Sequence, residues 1–343
     1  MTSADARCVF DPGIAMSFPS KDLTYLGRRF RVYGLSAEDR YFQALRDDLD
    51  AEFVRFCRAF VRPDYVCLDV GANIGLKSLI MAAQAHSGKV VAIEPGPSIG
   101  NVLELNVQAN QVSNVLIERV AIGDKSGPVR FAEESAFGFV SDTGVEVPMT
   151  TLPALAKKLD LARVDFIKID VEGLEFPILR NSLDFINSNE ALVYFEFNAW
   201  TQMVNADLQP KEFAKWVLDN FSHVYIAKKS GGYGDLLWRL AKGDWREILY
   251  HNCFHSGFVN DMVVTNAPWR LVADPDAASA ERDEQVAQRN ELIAEREAAK
   301  AELAALRADR DELLAQLNAL HNSTSWKITS ALRAIGRGLK ARS

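Results

Sequence analysis

A series of short, unbroken apolar segments, each separated from the next by a stretch long enough for a helix, constrains this chain more than any other feature. YVCLDV (65–70), KVVAIEP (89–95), NVLIERVAI (114–122), VDFIKIDV (164–171) and ALVYFEF (191–197) are each of strand length and apolar on both faces. Strands of that kind are covered on both sides, as in a mostly parallel sheet flanked by helices. Helices are expected over 37–61, in the stretch after Gly75, over 97–110 and near 174–186, with Pro63-Asp64 ending the first. HVYIAK (223–228) and FVNDMVV (258–264) can close the sheet. An open α/β sheet binds its ligand beyond the carboxyl ends of the strands, where strand order reverses.

The first of these strands runs into CLDVGANIGLKS. Gly71 lets the chain turn tightly, and Gly75 lets the helix start pack close to strand and ligand. A dinucleotide loop requires G-x-G-x-x-G, and here the second and third glycine positions hold Asn73 and Leu76. No G-x-x-x-x-G-K-[ST] run is present to grip phosphates. A nucleoside ligand without a diphosphate is therefore expected, and S-adenosylmethionine fits. Its carboxylate can sit at a helix N-terminus, and its two cationic groups favour an acid such as Asp69. Glu94 ends the next strand, 25 residues after Asp69, where a carboxylate can accept both hydrogen bonds of a ribose. Asp124, in the turn AIGDKSG, stands where the adenine end would lie. Asp69 and Asp124 also suit plain turn capping.

DVGANIG, IEPGP, AIGD and FIKIDVEGLE, in that order, resemble the FkbM family of S-adenosylmethionine-dependent methyltransferases over roughly 64–200, and more weakly to about 265. The resemblance implies a Rossmann-like, seven-stranded class I methyltransferase sheet with helices on both faces. It also implies an O-methyltransferase role toward a sugar or polyketide-like hydroxyl. Asp69, Gly71, Ala72, Asn73, Gly75 and Glu94 then line the cofactor site, and the AIGD turn adds Ala121 and Asp124.

An alcohol acceptor must lose a proton, so a base beside the methyl group should help by about 10²–10⁴-fold. KIDVEG places Lys168, Asp170 and Glu172 on alternating positions as the fourth strand ends. Asp170 is the first candidate base and Glu172 the second, with Lys168 orienting them or holding the acceptor. The plainer alternative is a buried Lys168–Asp170 ion pair with Glu172 capping the next helix. Asp170, Glu196 and Asn198 could offer oxygens to magnesium, and HNCFH (His251, Cys253, His255) superficially resembles a zinc set, but no metal is expected. One of these histidines could instead serve as the base. Tyr194, Phe195, Phe197 and Trp200 are expected in the core or pocket wall. Trp238 and Trp245, in a Gly-rich stretch, suit either a sugar-stacking lid or core anchoring.

The C-terminal part differs in composition. Residues 274–320 hold twelve acids and six bases, whereas 321–343 hold five bases and no acid. Leu292, Arg296, Ala299, Leu303, Leu306, Arg310, Leu313, Leu317 and Leu320 follow a four-three spacing that supports a coiled coil, and self-association through 292–320 is expected. Beyond it, Ile328, Leu332, Ile335 and Leu339 share a face opposite Arg333, Arg337 and Lys340, with Trp326 at the start, as in a membrane-surface helix. A helix docked on protein is the alternative. The STSWKITSALRAIGR stretch is similar to tails of bacterial surface-polysaccharide glycosyltransferases, which implies a glycan acceptor.

The organisation expected is a lead-in with a capping helix (1–63), the methyltransferase-like domain (64–270), a linker (271–280), the coiled coil (281–320) and the basic tail (321–343). A net charge of −7 argues against broad nucleic-acid binding. The four cysteines lack framework spacing, the N-terminus shows no basic start before an apolar run, and no apolar run spans a membrane. A cytoplasmic protein, peripheral at the inner face of the membrane, is expected. A soluble small-molecule acceptor and an inactive scaffold are the alternatives to the glycan enzyme.

Overall fold

Ser20–Tyr25 (β1) and Arg28–Tyr33 (β2) form an antiparallel hairpin that the sequence reading left as a polar lead-in. The computed structural model describes residues 17–134, 137–228, 236–240, 243–256, 259–272, 298–316, 318–319 and 329. Two units divide the chain, Met1–Ser279 and Ala280–Ser343.

The helix expected over 37–61 is two helices, Arg40–Ala44 (α1) and Ala51–Phe60 (α2). Side chains compete with the helix at the break. Lys21 Nζ donates to the carbonyls of Phe42, Gln43 and Leu45, and Asp47 accepts from the Thr24 N–H at 2.8 Å. Asp50 then enters α2 in the left-handed region, at φ 57°.

The main sheet contains Val66–Val70 (β3), Lys89–Ile93 (β4), Val115–Glu118 (β5), Phe166–Ile169 (β10), Leu192–Asn198 (β11), His223–Ala227 (β12), Leu237–Arg239 (β13) and Val259–Thr265 (β14). Their order is β13-β12-β14-β11-β10-β3-β4-β5. The pairs from β11 through β5 are parallel, and β14, β12 and β13 are paired antiparallel at one edge. The expected α/β, Rossmann-like, mostly parallel sheet is thus present, with antiparallel strands at one edge and one strand more than the seven expected. Chain order runs outward from β3 in one direction and from β10 in the other, so the reversal lies between them.

Alternating residues along these strands serve two cores. Cys67, Val90, Phe166 and Leu192 pack with Phe53 and Phe56 of α2 and with Leu79 and Ile80 of Leu76–Gln84 (α3). Leu68, Val91, Ile167 and Val193 face the other way, toward Leu155, Ile178 and Phe213. Each fully buried side chain of this size contributes about 1.5–3 kcal/mol, and both faces of the sheet are buried.

NVLIERVAI does not form one strand. Only Val115–Glu118 joins the main sheet. Arg119 folds onto Pro97–Ala109 (α4), donating to the Gly100 carbonyl and Glu104, and the chain turns there. Ala121–Ile122 (β6) belongs instead to a second sheet with Gly127–Glu134 (β7), Phe137–Val140 (β8) and Val145–Thr150 (β9), in the order β6-β9-β7-β8. The helix expected near 174–186 is Glu175–Asn181 and Leu183–Ser188, divided at Ser182.

In the second unit, residues 298–316 are helical, with Leu303, Leu306, Leu313 and Leu314 exposed. Most of the linker, the start of the heptad pattern and the basic tail (bar Thr329) lie outside the described residues. Among the described residues, no helix is long and apolar enough to cross a membrane.

Candidate functional site

The strand tips on either side of the β3–β10 reversal enclose a cavity of about 210 Å3. Its floor is the turn after β3. Gly71 has φ 77°, and a Cβ there would stand 1.9 Å from the Asp170 carbonyl, so only glycine lets the two strand tips close together. Gly71, Ala72 and Asn73 line the cavity, whereas Gly75 does not. A Cβ on Gly75 would meet Leu103 of α4 at 2.5 Å, so its place in the motif is explained by helix packing.

Glu94, 4% exposed, stands at the tip of β4. Its two oxygens accept from the N–H groups of Asn73 and Gly96, both at 2.9 Å, which fixes the carboxylate plane and leaves one lone pair on each oxygen for a ligand. Burial pushes its carboxyl up to about 7. Ala121 lines the same end of the cavity. Asp124 is exposed in the turn between β6 and β7 and outside the cavity, so the expected adenine contact is not made by its side chain. The second sheet closes that side with Phe131, Gly138 and Val140.

Asp69 also lies outside the cavity wall. It is fully buried beneath the floor, accepting from the Ser78 hydroxyl at 2.5 Å and facing Lys168 Nζ at 3.1 Å. That second contact is an ion pair rather than a directed hydrogen bond. Lys168 donates to the Gly71 carbonyl at 2.7 Å and lies 3.5 Å from Asp170. Asp69 therefore holds the floor through Lys168 instead of meeting a ligand.

Asp170 and Glu172, the two candidate bases, are shifted in opposite directions. Burial alone would raise Asp170, but Lys168 and Lys77 outweigh it and hold the carboxyl down at about 2. Lys77 Nζ is 3.3 Å from Asp170 and 3.9 Å from Asp50. A carboxylate so strongly ionised is a poor base. For Glu172 the balance is reversed: burial, and then the Asp170 charge, outweigh Lys168 and Lys77 and raise it to about 7. It does not cap the following helix. Glu175, fully buried, accepts from the Val171 and Gly173 N–H groups, and burial raises it to about 7. Glu196 at the tip of β11 is raised well above the carboxylate range by burial and by Asp170, Glu172, Glu175 and Asp261.

Of the residues weighed as metal ligands, Asp170 and Glu196 line the cavity and the others lie elsewhere. The Asn198 side-chain Oδ1 accepts from the Trp200 and Thr201 N–H groups as a helix cap. HNCFH is a π-helical turn away from the cavity wall, with His251 5.2 Å from Trp238 and Cys253 exposed. Among the described residues, no group of three or more His, Cys, Asp or Glu is placed to hold a metal. Trp238 is on a strand and donates to Glu247, Trp245 lies against Lys211 and Arg246, and neither lines the cavity. Tyr194, Phe195 and Phe197 are core residues, but Trp200 is 59% exposed.

Sequence reasoning missed Lys77, Tyr41, Asp50 and the wall of Phe131, Gly138 and Val140 from the second sheet. Lys77 had a signal. A lysine in the first turn of a helix opposes the helix dipole, a local conflict that points to an acidic partner. In all, five carboxylates (Asp50, Glu94, Asp170, Glu172, Glu196) and two lysines (Lys77, Lys168) line the cavity. Lys77 and Lys168 are paired with Asp170, and Glu94, Glu172 and Glu196, raised to about 7 or above it, would ionise more readily beside a cationic ligand than beside a diphosphate.

Several known proteins are similar to parts of this chain. Residues 69–225 match the family model described as the Methyltransferase FkbM domain. The methyltransferase sdnD of Sordaria araneosa is 24% identical over 204 residues, covering 46% of this chain and 79% of that protein. A 45-residue segment is 56% identical to the AMB antimetabolite synthetase AmbE of Pseudomonas aeruginosa, covering 13% of this chain and 2% of the synthetase. A crystal structure of a methyltransferase FkbM from Methylobacillus flagellatus superposes with a TM-score of 0.36 at 13% identity, over 59% of this chain and 44% of that one. The chain thus spans less than half the length of that FkbM protein and a small fraction of the synthetase.

Proposed function

From the premise that residues 69–225 are matched by a methyltransferase family, we propose that the chain is an S-adenosylmethionine-dependent O-methyltransferase acting on a sugar hydroxyl of a bacterial surface glycan. One observation carries the cofactor reading. The cavity at the strand-order reversal has a carboxylate surplus and a buried, oriented Glu94, and Asn73 stands where a diphosphate cradle needs glycine.

S-adenosylmethionine, when bound, supplies a methyl group on a positively charged sulfur. Glu94 would hold its ribose hydroxyls through the two free lone pairs. Lys77 and Lys168 are the cations available to its carboxylate. Glu172 and Glu196 line the β10–β11 side of the cavity, where burial and neighbouring acids hold Glu196 protonated and leave Glu172 to titrate at about 7. Glu172 takes the hydroxyl proton onto a carboxylate oxygen, and its raised pKa suits a base working near neutral pH. Asp170 keeps Lys77 and Lys168 in place. The cavity, at about 210 Å3, is smaller than the ~300–1,000 Å3 of a typical ligand pocket, so the acceptor approaches from its mouth.

The glycan part of the proposal is supported by the basic C-terminal segment and its likeness to tails of polysaccharide enzymes. On this reading the enzyme works at the inner face of the cell membrane. Mass spectrometry of surface glycan from a deletion strain tests it: one methyl group should disappear. An unchanged glycan, with methylation lost from a soluble metabolite, would assign the acceptor to the small-molecule class.

A further inference from the structure

The helix at 298–316 leaves a row of leucines in solvent: Leu303 is 49% exposed, Leu306 59% and Leu313 65%. Such a helix spans about 28 Å at 1.5 Å per residue, and most helical stability in proteins comes from packing an apolar face. The charges beside this row say what packs there. With Ala299, Leu306 and Leu313 at heptad position d, Leu303 and Arg310 fall at a. Position g then holds Glu302 and Asp309, and position e holds Lys300 and Arg307.

We propose that residues 298–316 pair with the same segment of a second copy of this chain, as a parallel, in-register, two-stranded coiled coil. In that arrangement g of one helix faces e of the next heptad in its partner, so Glu302 meets Arg307 of the second copy, twice by symmetry. The antiparallel arrangement sets e against e and g against g. Lysine and arginine would then face one another, as would the acids. The pattern therefore selects orientation as well as partner. Arg310 at an a position limits the number of strands, because its guanidinium reaches solvent from the edge of a two-stranded core. Leu314, at e and 50% exposed, widens the apolar seam on one side. This pairing is independent of the chemistry of the cavity.

Sedimentation equilibrium of the full chain tests the proposal, with far-UV circular dichroism to confirm folding of each variant. The wild type should have the mass of two chains. Glu302→Lys should weaken the dimer about fivefold or more, Arg307→Glu likewise, and the double variant should recover most of the affinity. For orientation, Ala299→Cys is placed in a Cys8→Ser, Cys253→Ser background. Mild oxidation should link the two chains through residue 299, since parallel d positions face each other. A chain that stays monomeric with its leucines buried on its own protein, a dimer indifferent to both charge changes, a trimer, or a dimer that does not cross-link would each overturn the proposal.

Discussion

Lys168 and Asp69 stand opposite each other across the β10–β3 boundary, with Nζ 3.1 Å from Oδ1 and almost no exposure on either side chain. The ammonium also reaches the Gly71 carbonyl, so one cation fastens the floor of the cavity to the strand that carries the candidate base. Removing one partner of a buried pair leaves the other charge uncompensated, at a cost of about 3–5 kcal/mol. Lys168→Met should lower unfolding stability in urea by that order, and Asp69→Asn in the same chain should restore part of it. Additive losses would mean that the two charges do not compensate each other.

Glu172→Gln should lower kcat by about 10²–10⁴-fold while leaving S-adenosylmethionine affinity nearly unchanged. In the wild type, the rate should rise with pH through about 7, because Glu172 must be ionised to accept a proton and its carboxyl is raised to that value. Asp170→Asn should act differently, disturbing Lys77 and Lys168 and therefore binding and stability. Single-turnover rates across pH 5.5–8.5 separate the two variants. A Glu172→Gln enzyme with normal turnover would remove Glu172 from the reaction.

Glu175 makes stability depend on pH in an unusual direction. Its folded carboxyl is raised to about 7 from an ordinary 4.5, so the folded state holds its proton more tightly than the unfolded chain. Its contribution is full below about pH 4.5 and is lost as pH rises toward 7. Glu175→Gln should flatten the stability profile across that window, because a glutamine oxygen can still accept from Val171 and Gly173. Urea midpoints at pH 5 and pH 7 check this, and an equal slope in both proteins would contradict it.

Gly71→Ala tests the floor directly. The added Cβ would overlap the Asp170 carbonyl and occupy a left-handed conformation. Strain and overpacking together should cost about 3 kcal/mol or more, with loss of cofactor binding. Thermal unfolding and calorimetry on the same sample measure both effects.

The sequence reading placed the main strands and the turn after β3, because continuous apolar runs and glycine spacing are local signals. It found Glu94, Lys168, Asp170 and Glu172 as cavity residues for the same reason. It ranked Asp170 before Glu172 as a base without the means to judge their ionisation. That depends on Lys77, which arrives from a helix 93 residues earlier in the chain. Asp69 reads as a ligand contact in the motif but lies under the floor, since the depth of a strand-end side chain depends on its neighbours across the sheet. The second sheet was missed because the apolar residues on either side of Glu118 and Arg119 read as one strand, although those two charges mark where the chain turns. The split of 37–61 was likewise set by Lys21, from the distant hairpin.

Isothermal titration calorimetry with S-adenosylhomocysteine on the full chain tests the central claim most directly. One site should bind, affinity should grow between pH 6 and pH 8 as Glu94 ionises, and Glu94→Ala should weaken binding at least about tenfold. No heat of binding at any pH, or equal affinity in Glu94→Ala, would contradict the cofactor site described for these strand tips.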